Sequence, residues 1–247
     1  MRTEIRDFID QEAPSGLQLS PDGRFGAFVV TKPDGEENCY HSWLQVVDVE
    51  NGTVRKLTSG KKEKSFAWED GEHLFFVGNR EKDRKGESLL YRISVAGGEA
   101  ELCGTLPKGT RKIRCQNGIL YCLVHEHYYE KEEDYEVFDE LPFWANGQGV
   151  VNKIRTRLAV YDMETGKAEI VSREYENVEG YWVEEGDKVL YISSLYTDKK
   201  DVYQGLMQYT ISDGKLETLV EQKDMSIDYA CILKGKVTFF GSYMKEY

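Results

Sequence analysis

The chain of 247 residues has little proline (5) and no apolar run that approaches the roughly 18 residues of a membrane-spanning helix. Its opening, MRTEIRDFIDQEAP, carries acids where a signal peptide or anchor needs an uninterrupted apolar segment, so a cytoplasmic, membrane-free protein is expected. Positive charge is also short. Lys and Arg number 32 against 44 Asp and Glu, and the formal net charge of −12 repels a phosphate backbone, which argues against nucleic acid as a partner. The five cysteines, Cys39, Cys103, Cys115, Cys122 and Cys231, form no C-x-x-C pair and follow no zinc-finger spacing. Reduced, mostly buried thiols are expected, with no metal. Nothing Gly-rich resembles a phosphate loop, and no cofactor is expected. G-x-S-x-G, the nucleophile elbow of α/β-hydrolases, is missing throughout, so no catalytic residue is assigned to this chain.

What the sequence does have is aromatic strands in a repeat. Tyrosine (16) and phenylalanine (10) favour strands, and short polar turns ending in glycine recur at Gly23, Gly71, Gly118, Gly186 and Gly235. A second series, Gly52, Gly98, Gly166 and Gly214, falls between them in step. The segments between the turns, such as RFGAFVV, HLFFVG, ILYCLV, KVLYIS and KVTFFG, are apolar throughout or alternate apolar with polar. Four antiparallel strands in each unit of about 48 residues make the blade of a β-propeller. The fold class is therefore all-β, an incomplete propeller of four blades and part of a fifth. Blades are expected over 16–58, 63–105, 110–172 and 178–221, with the first strands of a fifth over 226–247. Residues 1–13 precede them as an arm or short helix, with Ile5, Phe8 and Ile9 on one face.

The step from first-series to second-series glycine is 29 residues in blade one but 48 in blade three. The surplus places an insertion at about 127–152, between the second and third strands of blade three. It contains an acidic run with Glu132 and Glu133, then LPFWANGQG with Phe143 and Trp144 beside turn-forming residues. Because strand direction alternates, this loop emerges at the same edge of the blade as the links between blades. A domain joined at the propeller's ends would sit over that edge, and rings there can pack against it or line a pocket. Folding back over the blade is the alternative. Glu132 and Glu133 are candidates for holding a substrate amino terminus. Arg155 and Arg157 alternate along the next strand on one face, suited to a peptide carboxylate or to pairing with the acidic lead, and the internal pairing is favoured. His125 and His127 form an H-x-H with no third ligand at a defined spacing, so they are expected to be ordinary strand-end histidines. Trp68, Phe75, Trp182 and Tyr191 are expected to pack between sheets.

The stretches LSPDGRFGAFVV, SWLQVVDVENGTVRKLT and above all DYEVFDELPFWANGQGVVNKIRTRLAVYDMETG resemble the N-terminal propeller of acylaminoacyl-peptidase-like members of the prolyl oligopeptidase family of serine peptidases. The resemblance covers nearly the whole chain. It implies a partner α/β-hydrolase domain, absent from this chain, whose Ser-Asp-His triad the propeller covers, and peptide substrates limited by size. A stand-alone propeller that binds a protein or small ligand is the other function class. Strands around Ile227–Leu233 and Lys236–Gly241 leave a blade edge open, from which self-association is expected.

Overall fold

Two aspartates show how the repeat is built. Asp48 and Asp162 each end a third strand, and the Oδ1 of each accepts the amides two and three residues on: Glu50 and Asn51 at 3.0 and 3.3 Å, Glu164 and Thr165 at 2.8 and 3.1 Å. Four residues after each aspartate, Gly52 and Gly166 turn the chain with φ of 70° and 67°, where a side chain would be strained. Their amides return to the carbonyls of Asp48 and Asp162 at 2.9 Å. The same turn thus closes the last hairpin of two different repeats.

A computed structural model describes residues 4, 7–8, 10–81, 83–84, 86–129, 134–141, 143–145, 149–183 and 187–244, with the side chains of 143 and 145 excepted. The first sheet runs β1 (Ala13–Leu19), β2 (Phe25–Asp34), β3 (Cys39–Asp48), β4 (Val54–Lys56). The second runs β5 (Ser65–Trp68), β6 (His73–Gly78), β7 (Ser88–Ser94), β8 (Glu101–Leu106). In the third, β9 (Arg111–Gln116) and β10 (Ile119–His127) are followed by a separate hairpin, β11 (Phe143–Ala145) with β12 (Gly149–Val151), before β13 (Ile154–Asp162) and β14 (Lys167–Ile170) complete the order β14-β13-β10-β9. The fourth runs β15 (Glu176–Val183), β16 (Lys188–Leu195), β17 (Gly205–Thr210), β18 (Lys215–Val220), and β19 (Met225–Leu233) pairs with β20 (Lys236–Tyr243). Four antiparallel four-stranded sheets and a further two-stranded one are the blades of an incomplete β-propeller.

The chain divides into two compact units, Met1–Cys122 with Tyr161–Ala168 and Leu123–Val160 with Glu169–Tyr247, so the strands of the third sheet are shared between them. In the first unit, Ala27, Val29, Leu44 and Val46 of one sheet pack with Phe66, Trp68, Leu74, Phe76 and Leu89 of the next. Consecutive residues are buried along β6 and β7, such as Leu74–Phe76 and Leu89–Tyr91, as strands covered on both faces require. In the second unit, Leu190, Ile192 and Leu206 of the fourth sheet pack with Ile227 and Ala230 of β19. The fourth strands β4 and β14 are exposed along their whole length.

Trp68, Phe75 and Tyr191 are buried, and Trp182 packs beside the core of the second unit with an edge-on contact to Tyr229. The cysteines depart from expectation: only Cys122 is fully buried, Cys103 is exposed on β8, and Cys39, Cys115 and Cys231 are half-buried. Strand position explains it, because Cys103 lies on an outer strand and Cys39 at the tip of a hairpin. Near the N-terminus residues 7–8 are helical with Phe8 exposed, while Ile5 and Ile9 lie outside the described residues. Among the described residues no helix is long and apolar enough to cross a membrane.

Candidate functional site

β13 begins IRTRLAVYD, and the period of two puts Arg155 and Arg157 on one face. That face is inside. Both arginines are buried, so each guanidinium needs a full set of acceptors to offset the loss of water. Arg155 meets Glu140 through two nitrogens, Nη2 to Oε2 at 2.6 Å and Nη1 to Oε1 at 3.2 Å, with both side chains 1% exposed. It also donates to the carbonyls of Tyr196 at 2.9 Å and Tyr175 at 3.3 Å, and lies over the Tyr196 ring at 3.6 Å. Arg157 is held by Glu126 and the Tyr128 hydroxyl, and donates to Ser172 Oγ at 3.0 Å and to its carbonyl at 2.6 Å. The Tyr128 hydroxyl in turn donates to Glu126 Oε2 at 2.5 Å, and its ring stacks on Tyr175 at 4.5 Å. Burial, reinforced by the Glu126 carboxylate, pushes the Tyr128 phenol pKa up. Both arginines therefore pair within the chain.

Glu140 sits inside the insertion, and its pairing roots that segment in the blade. The same Oε1 accepts the Lys153 amide at 2.6 Å, while buried Asn152 donates to Glu136 Oε1 at 3.2 Å and the Val137 carbonyl at 3.0 Å. Lys153 Nζ pairs with Asp139, and the Tyr128 amide reaches the Lys153 carbonyl at 2.9 Å. Lys153 itself takes φ of 45°, the left-handed conformation, which turns the chain from the hairpin into β13. On the outer side, the Leu141 amide bonds the Asp198 carbonyl at 2.5 Å.

From this base β11 and β12 form a short ladder, Phe143 opposite Val151, Trp144 opposite Val150 and Ala145 opposite Gly149. Val151 points inward and is buried, whereas Trp144 is 68% and Val150 53% exposed. Alternation makes the two a cross-strand pair on the outward face. Tyr135, Val137, Phe138 and Leu141 are exposed as well. Six large apolar side chains in one short segment are the kind of surface that marks an interaction site. Beside it, a groove of about 590 Å³ is lined by Leu141, Lys200, Val202, Gln204, Ser226 and Met244. Glu132, Glu133 and the Phe143 side chain lie outside the described residues. Neither His125 nor His127 belongs to a group of three metal-capable side chains among the described residues. The sequence did not single out Glu140, the last residue of the acidic run, or Glu126, Val150 and the apolar set before the hairpin; the available signal was four apolar residues, Tyr135, Val137, Phe138 and Leu141, interleaved with the acids of that run.

No family model matches the chain. Over 97 residues, 38% of this chain, it is 32% identical to the uncharacterized peptidase YuxL of Bacillus subtilis (strain 168), and the match covers 14% of that protein. Among solved structures it superimposes on Pyrococcus horikoshii acylaminoacyl peptidase with a TM-score of 0.71 at 18% identity, covering 97% of this chain and 37% of that one. It also superimposes on the β-propeller domain of the Trilobed protease from Pyrococcus furiosus, with a TM-score of 0.56 at 16% identity, covering 96% of this chain and 66% of that one. The chain thus spans little more than a third of the acylaminoacyl peptidase it matches, and its fold is that of the propeller region of such peptidases.

Proposed function

We propose that this chain is the non-catalytic propeller region of a cytoplasmic serine peptidase of the prolyl oligopeptidase family, similar to acylaminoacyl peptidase. In this reading it covers an α/β-hydrolase domain and limits which peptides reach the Ser-Asp-His triad there. One observation carries the reading: the insertion before β13 is rooted by the buried Arg155–Glu140 pair and displays Trp144 and Val150 outward. A loop that only covered its own blade would bury these two side chains. Holding an apolar row in place over solvent stabilises nothing until a partner covers it, and the hydrolase domain is the partner that the propeller resemblance supplies. Arg155 and Arg157 have their donors engaged internally, so the proposed contact is made by Trp144 and its neighbours, with Phe143 beside them. Glu132 and Glu133 remain proposed contacts for a substrate amino terminus.

The test is the complete reading frame. It is expected to encode G-x-S-x-G followed by Asp and His, and the intact protein to hydrolyse blocked short peptides in a serine-inhibitor-sensitive way. Lack of that motif together with lack of that activity would overturn the proposal and leave a propeller that binds a protein or small ligand. Self-association belongs to the same reading as a property of the isolated chain, since Phe240 and Tyr243 of β20 are exposed. Sedimentation over a wide concentration range is expected to show dimers, and a strictly monomeric chain would contradict it.

A further inference from the structure

The hairpin joining β2 to β3 gathers a thiol, an imidazole and a carboxylate at its tip. Its sequence is Asp34-Gly-Glu-Glu37-Asn-Cys39-Tyr-His41. Asp34 pairs with Cys39 across the ladder, and Asp34 Oδ1 accepts the amides of Glu36 at 3.0 Å and Glu37 at 2.9 Å, which fixes where Glu37 leaves the turn. Asn38 then reverses the chain with φ of 48°. Cys39 and His41, two residues apart on β3, project on the same face toward Glu37.

We infer that Glu37, Cys39 and His41 form a zinc site with three protein ligands and a fourth position open to water. The three ligand atoms make a triangle: His41 Nε2 to Glu37 Oε2 is 3.0 Å, Cys39 Sγ to His41 Nε2 is 3.3 Å, and Cys39 Sγ to Glu37 Oε2 is 3.8 Å. A tetrahedral zinc with ordinary bond lengths to N, O and S would set these edges at about 3.4, 3.6 and 3.6 Å. Every edge is within about 0.4 Å of that geometry. A charged group also faces the remaining oxygen of Glu37 and the remaining nitrogen of His41. Lys61 Nζ holds the other oxygen of Glu37, Oε1, at 2.7 Å, leaving Oε2 for the metal. Asp34 Oδ2 lies 3.6 Å from His41 Nδ1, an ion-pair separation, on the side where an outer carboxylate orients a metal-binding histidine; metal binding would take the place of the proton that His41 Nε2 and Glu37 Oε2 share at 3.0 Å. Thiolate, imidazole and carboxylate together suit zinc better than a hard cation such as magnesium or calcium. On binding, the Cys39 S–H proton passes to solvent and a sulfur–zinc bond takes its place. A second group, Glu69, Asp70 and His73, has no thiol and lacks this arrangement.

Cobalt(II), which takes zinc's place with a visible spectrum, is the probe. Titration of the whole chain is expected to give one tightly bound cobalt with a thiolate-to-cobalt charge-transfer band that zinc bleaches. Cys39→Ser is expected to abolish the band, and His41→Ala to weaken binding by at least as much as the outer-carboxylate change Asp34→Asn, for which about a 10–100-fold loss is expected. Circular dichroism and the melting curve of Cys39→Ser report whether its blades remain folded, and Asp34→Asn, which keeps all three ligands, provides an independent reading. No charge-transfer band in the native chain, or a band and affinity unchanged by Cys39→Ser, would overturn the inference.

Discussion

The Arg155–Glu140 pair is the most consequential residue-scale feature because neither charge has access to water. Removing one partner from such a pair costs about 3–5 kcal/mol, since the other remains buried and uncompensated. Glu140→Gln and Arg155→Met are each expected to lower the unfolding free energy from urea titration by that order, and the double variant to lose less than the sum of the two. Equal, additive and small losses would show the pair to be unimportant. The sequence made one half of this legible: alternation put Arg155 and Arg157 on a single face. It did not single out Glu140, because the acidic residues at 132–134 are equally good partners by charge, and only the path of the insertion decides which carboxylate meets the strand.

Thiols and phenols set a second residue-scale expectation. Burial pushes the pKa of Cys122 up to about 12 and of Cys115 up to about 11, from 9.0. The Tyr191 phenol is also pushed up, first by burial and then by the Glu176 carboxylate that its hydroxyl meets at 2.9 Å. For all three the folded state favours the proton; the contribution of the two thiols is complete below their unfolded pKa near 9 and is lost as pH rises through about 11 to 12, and that of Tyr191 begins to fall only above its unfolded value of 10.0. The urea midpoint is therefore expected to be insensitive to these groups near neutrality and to fall steeply above about pH 9. A flat profile to about pH 11 would contradict the burial of these side chains.

At the scale of the element, the hairpin β11–β12 has three paired positions, too few to be stable alone, so its shape depends on the anchor at its base. Glu140→Gln is expected to speed proteolytic cleavage within residues 134–151 well before the blades are cut. Trp144→Ser with Val150→Thr acts on the outward face, and its effect on the isolated chain is expected to stay within about 0.5 kcal/mol. A large loss would mean that these side chains pack on their own blade. Blades were legible because each turn solves its backbone problem locally, with an aspartate or glycine at a fixed offset, as at Asp48–Gly52 and Asp162–Gly166. The insertion has no such period. Its hairpin and its exposed row depend on contacts between Glu136, Glu140, Asn152 and Lys153 that no spacing rule announces.

At the scale of the whole molecule, this sequence lacks the G-x-S-x-G elbow on which α/β-hydrolases carry their nucleophile, and the isolated chain is expected to show no inhibitor-sensitive hydrolysis of acyl-peptide reporters. Measurable cleavage by the pure chain would contradict that. Its proposed contribution is selection by size, made through the insertion at the edge from which a hydrolase domain would be covered. The most direct measurement compares the protein of the complete reading frame with a variant lacking residues 134–150, assayed on blocked peptides of increasing length. The account predicts that the intact protein cleaves short peptides and rejects long ones, and that the deletion either admits longer peptides or lowers the melting temperature of the hydrolase domain. An unchanged length profile together with unchanged melting would contradict it.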